Sequence, residues 1–488
     1  MSGIYSWGVC IPRLRLARKT IGSAMSWINP ALKSARGERS MCSWDEDSLT
    51  MAVEAARDAM PDASSRLDIR TVMLASTTLP FADRSNATVL ASALGLPEQT
   101  LAFDVTGSQR SATAALSQSL ASMESAASAE KALVTAADRR LAKAGSEQES
   151  SYGHGGAALV VGSGDGIATL IARSHLAADF VDHHRAADAP FDYVLEERWT
   201  REAGWIELVP NAIRESLRCA HVPAKEIGHL VINAPRVVSR KIASLVGIDA
   251  ERIVDPLHDK CGDTGAGHTL LLLAGALECA RPGDYVLLVG FGQGVDVLLF
   301  RTTPAIRETR PPRTLPQALA DRREETEYTR FLSHCGLLTA EFGMRAERDN
   351  RTAQTVAWRR HDDIYGFIGG RCPHCGTVQF PRARVCVAPE CRKSGEQTPI
   401  KLAEEKARIK TFTEDWLAYS ARPPLVYGNV AFLSGGNAFI EFADFAPGEA
   451  KIADEVRFVF RLKDVDRTRG FRRYFWKAAP MRATTGRN

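Results

Sequence analysis

Four cysteines near the C-terminus constrain this chain more than any other feature. Cys372 and Cys375 sit in CPHC, and Cys386 and Cys391 follow the stretch GTVQFPRARV. Tetrahedral zinc takes four thiolates, commonly two at a time from tight turns, because a spacer of two to four residues lets both sulfurs face one point. The second pair has four residues between its cysteines, at the edge of that range. Two disulfides are the competing reading and belong to secreted chains. The opening MSGIYSWGVCIPRLRL has no long apolar stretch of the signal-peptide kind, which favours zinc and a reduced, cytoplasmic setting. The ion would hold together a small ribbon, residues 371–392, with little core of its own. It marks a module appended to something much larger.

At 488 residues the chain is too long for one compact core. Lys and Arg total 62 against 58 Asp and Glu, and so small a balance gives no case for nucleic-acid binding. The remaining cysteines, at 10, 42, 219, 261, 279 and 335, follow no spacing pattern, as expected of reduced buried thiols. No apolar run reaches the ~18–20 residues needed to cross a bilayer.

The first ~305 residues alternate strands and helices, the pattern of a largely parallel α/β sheet. Strands are expected at 71–75, 132–135, 157–162, 229–232 and 285–289. Ala-rich helices are expected at 49–59, 111–127, 211–220 and 269–280. The order repeats. One half runs helix, TVMLAST, helix, LGLP turn, LAFDV, Gly/Ser loop, long helix, KALVTAAD. The other runs helix, HLVINAP, helix, VGI turn, RIVDP, the loop CGDTGAG, long helix, DYVLLVGFG. This places the halves at 1–165 and 166–304. Residues 305–370 read as a linker, rich in Pro and charge to about 325, followed by a helical segment. Short strands at 407–413, 425–432 and 437–442 make 393–488 a small β-barrel.

The N-terminal part resembles the thiolase superfamily, in its ketoacyl-synthase III and HMG-CoA-synthase branch. The resemblance is carried by DEDSLTMAVEAA, ASTTLPFADRSNA, AFDVTGSQRSATAAL, VTAADRR, GHGGAALVVG, GDTGAG and PGDYVLLVGFGQG, in that order. The C-terminal part resembles the zinc-ribbon and OB-fold module that accompanies such enzymes. The resemblance implies a layered αβαβα core, a homodimer, and a coenzyme A thioester as substrate or co-substrate.

It also shows what is missing. Enzymes of this superfamily place a nucleophilic cysteine where a helix start lowers the thiol pKa. The matching position here is Gln109, in Asp104–Val105–Thr106–Gly107–Ser108–Gln109–Arg110. The family's glutamate, histidine and asparagine positions are Thr77, Asn233 and Asp263. Three readings follow. Gln109 mimics an acyl-cysteine, as in decarboxylating relatives; or the site cleaves a β-keto or β-hydroxy acyl compound without a covalent adduct; or the site is dead and serves as a scaffold. In the second reading Asn233 and backbone N–H groups stabilise an enolate and Asp263 relays protons. His154, His258 and His268 are candidate proton carriers, each set against a structural role. Ser108 is an alternative nucleophile, set against the N-cap role that serine favours. GHGGAALVVG lacks the lysine and hydroxyl of a phosphate loop and reads as a strand. The basic and aromatic residues of 467–476 suit a CoA phosphoadenosine or docking onto the body better than nucleic acid, and the loop 36–44 is a weaker CoA-phosphate candidate.

The expectation is therefore a thiolase-like enzyme that cleaves a carbon–carbon bond beside a carbonyl by a retro-Claisen, retro-aldol or decarboxylative route. The resemblance places it in catabolism of aromatic β-keto acids or steroid side chains. A condensing synthase and a non-catalytic CoA-binding scaffold for a partner thiolase are the alternatives.

Overall fold

The computed structural model describes residues 1–125, 130–194, 196–347, 350–351 and 353–482. The chain divides into two compact units. The first comprises Met1–Cys42, Asp47–Ala91 and Leu96–Phe331; the second holds Ser43–Glu46, Ser92–Gly95 and the chain from Leu332 onward.

The first unit is built on nine strands: β1 (Ser2–Cys10), β2 (Ile69–Ala75), β3 (Leu101–Val105), β4 (Lys131–Arg139), β5 (His154–Ser163), β6 (Ala168–Ala177), β7 (Ile227–Ile232), β8 (Tyr285–Phe291) and β9 (Gly294–Thr302). Their order across the sheet is β7-β8-β9-β6-β1-β5-β4-β2-β3. In the first half β2 runs parallel to β3 and β4, while β4–β5 and β5–β1 are antiparallel. In the second half β7 runs parallel to β8 and forms a parallel bridge to Ile253, while β8–β9 and β9–β6 are antiparallel. Each half therefore has the same order and the same directions, and they meet antiparallel at β1 and β6 through Gly3–Thr169 and Ile4–Ala168. The repeat seen in the sequence is a repeat of the fold. The sheet is mixed rather than largely parallel, because strands joined by tight turns, such as β8 and β9, must run antiparallel.

The helices make the layers. α1 (Ser48–Ala59) starts at a capping box, with Thr50 N–H on Asp47 Oδ1 and Asp47 N–H on Thr50 Oγ1. It packs on β1, β4 and β5. α2 (Ser111–Met123) and α5 (Ala266–Cys279) lie against each other and against strands of both halves. The run Leu270–Leu271–Leu272–Leu273 is buried all round, as a helix packed against strands of both halves must be. α3 (Val209–Ala220) and α4 (Arg236–Val246) cover the outer face of the second half, around Ile213, Ile242, Leu287 and Leu299. The helix expected to reach residue 127 ends at Met123, and residues 126–127 lie outside those described.

The stretch read as a linker carries a helix, Leu315–Ala320, and a strand, Arg323–Glu325, that pairs parallel with Leu14–Ala17. In the second unit a three-stranded ribbon sheet (Val378–Gln379, Ile368–Arg371, Thr398–Lys401) precedes five strands: β10 (Ala407–Asp415), β11 (Leu425–Phe432), β12 (Asn437–Glu441), β13 (Glu455–Asp466) and β14 (Phe471–Pro480). Their order is β12-β11-β10-β13-β14, and a parallel bridge between Phe442 and Ala478 joins the two edges. That closure is the Greek-key barrel of the OB type. Tyr474 and Trp476 face its interior, 1% and 0% exposed, and Arg469 and Arg473 pair with Asp466 and Asp464. Much of the basic and aromatic mix of 467–476 thus builds the barrel rather than a binding surface.

Candidate active site

The loop Gly262–Gly265, at the start of α5, is fixed from every side. Gly265 has φ +66°, and a Cβ there would stand 2.4 Å from Asp138 Oδ2. A side chain is excluded both by conformation and by space. Asp263 exchanges backbone hydrogen bonds with the Ser151–Gly153 turn. Its Oδ1 accepts from Asn233 Nδ2 at 2.9 Å and from Gly265 N–H at 3.0 Å, and Arg140 Nη1 donates to Oδ2 at 2.7 Å. Arg140 also donates to Asp192 at 2.9 Å and lies 3.5 Å over the Tyr152 ring. Desolvation of Asp263 is the largest influence and opposes ionisation, but the Arg140 guanidinium, the two nearby imidazoles and the Asn233 hydrogen bond together outweigh it and hold the carboxyl well below the usual carboxylate range. The ion pair with Arg140 favours the ionised form of Asp263 near neutral pH.

Asn233 completes a chain. Its amide N–H is on Asp263, so its Oδ1 faces His258 Nε2 at 2.8 Å as acceptor. Burial, chiefly, pushes the His258 pKa down. His268, on α5, accepts from Thr264 N–H at its Nδ1 (3.1 Å) and donates from Nε2 to the Pro256 carbonyl (2.8 Å). Burial, and then His258 with ring centroids 5.3 Å away, pushes its pKa down to about 4, so it stays neutral. His154 is fully buried, with Cys42 N–H on its Nδ1 and Arg39 and the Arg140 carbonyl at its Nε2, and occupies the structural role. Arg39 of the loop 36–44 is likewise buried, 1% exposed, and unavailable to a phosphate.

Gln109 and Ser108 stand at the matching start of α2. Ser108 Oγ donates to the Gly292 carbonyl at 2.7 Å. The helix begins at Ser111 behind Arg110, which caps it without a side-chain bond, so Ser108 is not the expected N-cap. Gln109 Nε2 lies 3.4 Å from His183 Nε2, and its Oε1 is buried without a hydrogen-bond partner. Asn233, Asp263, His258 and His268 thus form one cluster, and Gln109 and Ser108 another.

Sequence reasoning passed over Asp138 and Arg140. Asp138, fully buried, accepts from Ser76 Oγ, Thr77 N–H and Oγ1, Thr78 Oγ1 and Ala266 N–H at 2.7–2.9 Å. It ties the end of β2 to the start of α5. The signal was present: Asp138 and Arg139 end an apolar strand and Arg140 follows it, at the carboxyl edge where α/β sheets bind ligands.

In the second unit the four ribbon sulfurs lie within 4.8 Å of one another. Cys372–Cys391 and Cys375–Cys386 are separated by 3.8 and 3.5 Å. Four sulfurs at ~2.3 Å from zinc stand about 3.8 Å apart, so the set fits a structural zinc ion.

Comparison with known proteins agrees with both units. Residues 217–298 match the C-terminal domain of 3-oxoacyl-[acyl-carrier-protein] synthase III. Residues 362–396 match the ChsH2 rubredoxin-like zinc ribbon domain. The hydroxymethylglutaryl-CoA synthase of Archaeoglobus fulgidus is 30% identical over 343 residues, 68% of this chain and 98% of that protein. That of Picrophilus torridus is 29% identical over 301 residues, 60% and 85% of the two chains. A solved HMG-CoA synthase complexed with CoA superposes with a TM-score of 0.61 at 19% identity, covering 70% of this chain and 92% of that one. The 3-oxoacyl synthase III of Pseudomonas aeruginosa gives 0.55 at 23%, covering 62% and 98%. The chain belongs to the hydroxymethylglutaryl-CoA synthase family of the thiolase superfamily and carries a ChsH2-type zinc ribbon at its C-terminal side.

Proposed function

We propose that this protein cleaves the carbon–carbon bond beside the carbonyl of a β-keto or β-hydroxy acyl-CoA without an acyl-cysteine. The observation that carries the reading is Gln109, a carboxamide with no thiol chemistry, at the helix start where the family's nucleophile belongs. The cysteine beside the Gly262–Gly265 loop offers no substitute. Cys261 is fully buried, and burial pushes its thiol up to about 12. CoA is the carrier suggested by the hydroxymethylglutaryl-CoA synthase relatives and by the solved CoA complex. Asn233, fixed by Asp263 and His258, has a second amide hydrogen to offer an enolate oxygen. The neutral imidazole and ionised carboxylate around it hold it in one orientation.

The test is to incubate the purified chain with acetoacetyl-CoA and with 3-hydroxy-3-methylglutaryl-CoA, following products and intact protein mass. A shorter acyl-CoA with unmodified protein is expected. A stable acyl adduct on residues 104–112 would overturn the non-covalent scheme and revive Ser108 as nucleophile. We further read the protein as a homodimer, since β3 is an outer strand of the sheet and Leu101 is 62% exposed there. Light scattering that reads a single chain mass would remove that reading. Activity of the chain alone separates an enzyme from a scaffold that needs a partner thiolase.

A further inference from the structure

A short hairpin, His183–His184 paired antiparallel with Tyr193–Val194, is hydrogen-bonded to three loops around the site. Arg185 donates to the Thr77 carbonyl, Asp192 accepts from Arg140, and His183 faces Gln109. Asp182 Oδ2 stands 2.6 Å from His183 Nδ1. A carboxylate accepts there, so in the neutral ring Nδ1 carries the proton and Nε2 presents its lone pair. What meets that lone pair is the Gln109 amide at 3.4 Å, longer than a good hydrogen bond. Gln109 Oε1 is itself buried and unpartnered. The side chains of Asp182 and His183 are 13% and 15% exposed, sheltered but reachable. The place where the family keeps a thiol is thus faced by an oriented acceptor waiting for a donor.

We propose that His183, oriented by Asp182, is a catalytic residue that accepts the β-hydroxyl proton of the acyl substrate, with Gln109 beside it as a second polar contact. The inference rests on the cleavage reading above and selects its hydroxyl branch. His183 Nε2 takes the hydroxyl proton. The oxygen lone pair forms the new C=O at the β-carbon, and the α–β bond breaks with its electron pair going to the thioester as an enolate. The imidazolium returns the proton to the α-carbon. The products are a ketone or aldehyde and a shorter acyl thioester, and no water, oxidant or metal is consumed. Asp182 is a positioning residue: it fixes which nitrogen is free.

Calorimetry separates this proposal from the cleavage reading, because it needs no turnover. The probes are 3-hydroxy-3-methylglutaryl-CoA and 3-methylglutaryl-CoA, which lacks the hydroxyl. The wild-type chain is expected to prefer the hydroxylated probe by about tenfold, the worth of one hydrogen bond. His183→Ala should abolish the preference. Asp182→Asn, which keeps the imidazole but not its orientation, should reduce it while binding of the deoxy probe stays unchanged. No preference in the wild type, or a preference that survives His183→Ala, would overturn the proposal. Preference without cleavage would leave His183 as the hydroxyl acceptor and remove the cleavage reading. Cleavage with the preference intact in His183→Ala would remove the His183 role alone.

Discussion

The starts of α2 and α5 are the same structural position in two halves of one repeat, and they have been finished in opposite ways. At α5 the loop is locked. Asp263 is held by Arg140, Asn233 and Gly265, and Gly262 and Gly265 allow no side chain. At α2 the loop is open. A Cβ on Gly107 would meet nothing within 4 Å, and Gln109 leaves a buried oxygen without a partner. Thermodynamically, the first loop has spent its polar groups on the fold. The second bonds Ser108 to Gly292 and Arg110 to Asp296 but leaves the Gln109 acceptor unsatisfied. A duplicated scaffold thus carries one fully tied loop and one with an unsatisfied polar group at matching positions.

The sharpest way to break this comparison is Arg140→Ala. It leaves the Asp263 carboxylate without its cation and Asp192 with only the longer Arg185 contact, and losing one partner of a buried pair costs about 3–5 kcal/mol. Chemical denaturation should show that loss. Gln109→Ala should stay within about 1 kcal/mol of wild type. Equal losses would mean that the two loops are not differently committed.

Acidification comes next. His268 has its pKa pushed down to about 4, below the ~6.5 of an unfolded histidine, so the unfolded chain binds the proton more readily. Stability is full above pH ~6.5 and falls as pH drops toward about 4, by about 3 kcal/mol from this group. His154, also held well below its ordinary value by burial, acts in the same direction. Denaturation midpoints measured at descending pH test this. A flat profile would argue that the α5 cluster is not sealed from water.

Turnover gives a smaller contrast. Asp263→Asn frees Asn233 and Arg140 to move, and a misplacement of that kind costs roughly 10²-fold in rate. Because Asp263 stays ionised near neutrality, the loss should be the same across the neutral range. A loss that grows with pH would restore Asp263 as a titrating relay. Gln109→Ala should cost less than about tenfold, the worth of one polar contact. The smallest effect on either loop is expected from the ribbon. Metal analysis should find one zinc per chain. Cys375→Ser should abolish that stoichiometry and loosen the ribbon while the pH profile above stays as it was. A ratio near zero in protein purified without chelator would remove the zinc.

Much of this was legible in the sequence because it is local. The spacing of Cys372, Cys375, Cys386 and Cys391 reports a metal knuckle without any other part of the chain. The order of strands, glycine loops and long helices gave away the duplication, since periodicity and turn residues act over a few positions. The absence of a cysteine at 109 needs no fold to be seen. What the tertiary structure alone decided is charge state and partnership. Arg140 and Asp263 are separated by 123 residues, and nothing local in GDTG says that its aspartate is clamped at 2.7 Å by a guanidinium. His183 and Gln109, 74 residues apart, meet because a hairpin folds back over the start of α2. Titration and hydrogen bonding depend on distances of a few ångströms between groups remote in sequence, and folding sets those distances.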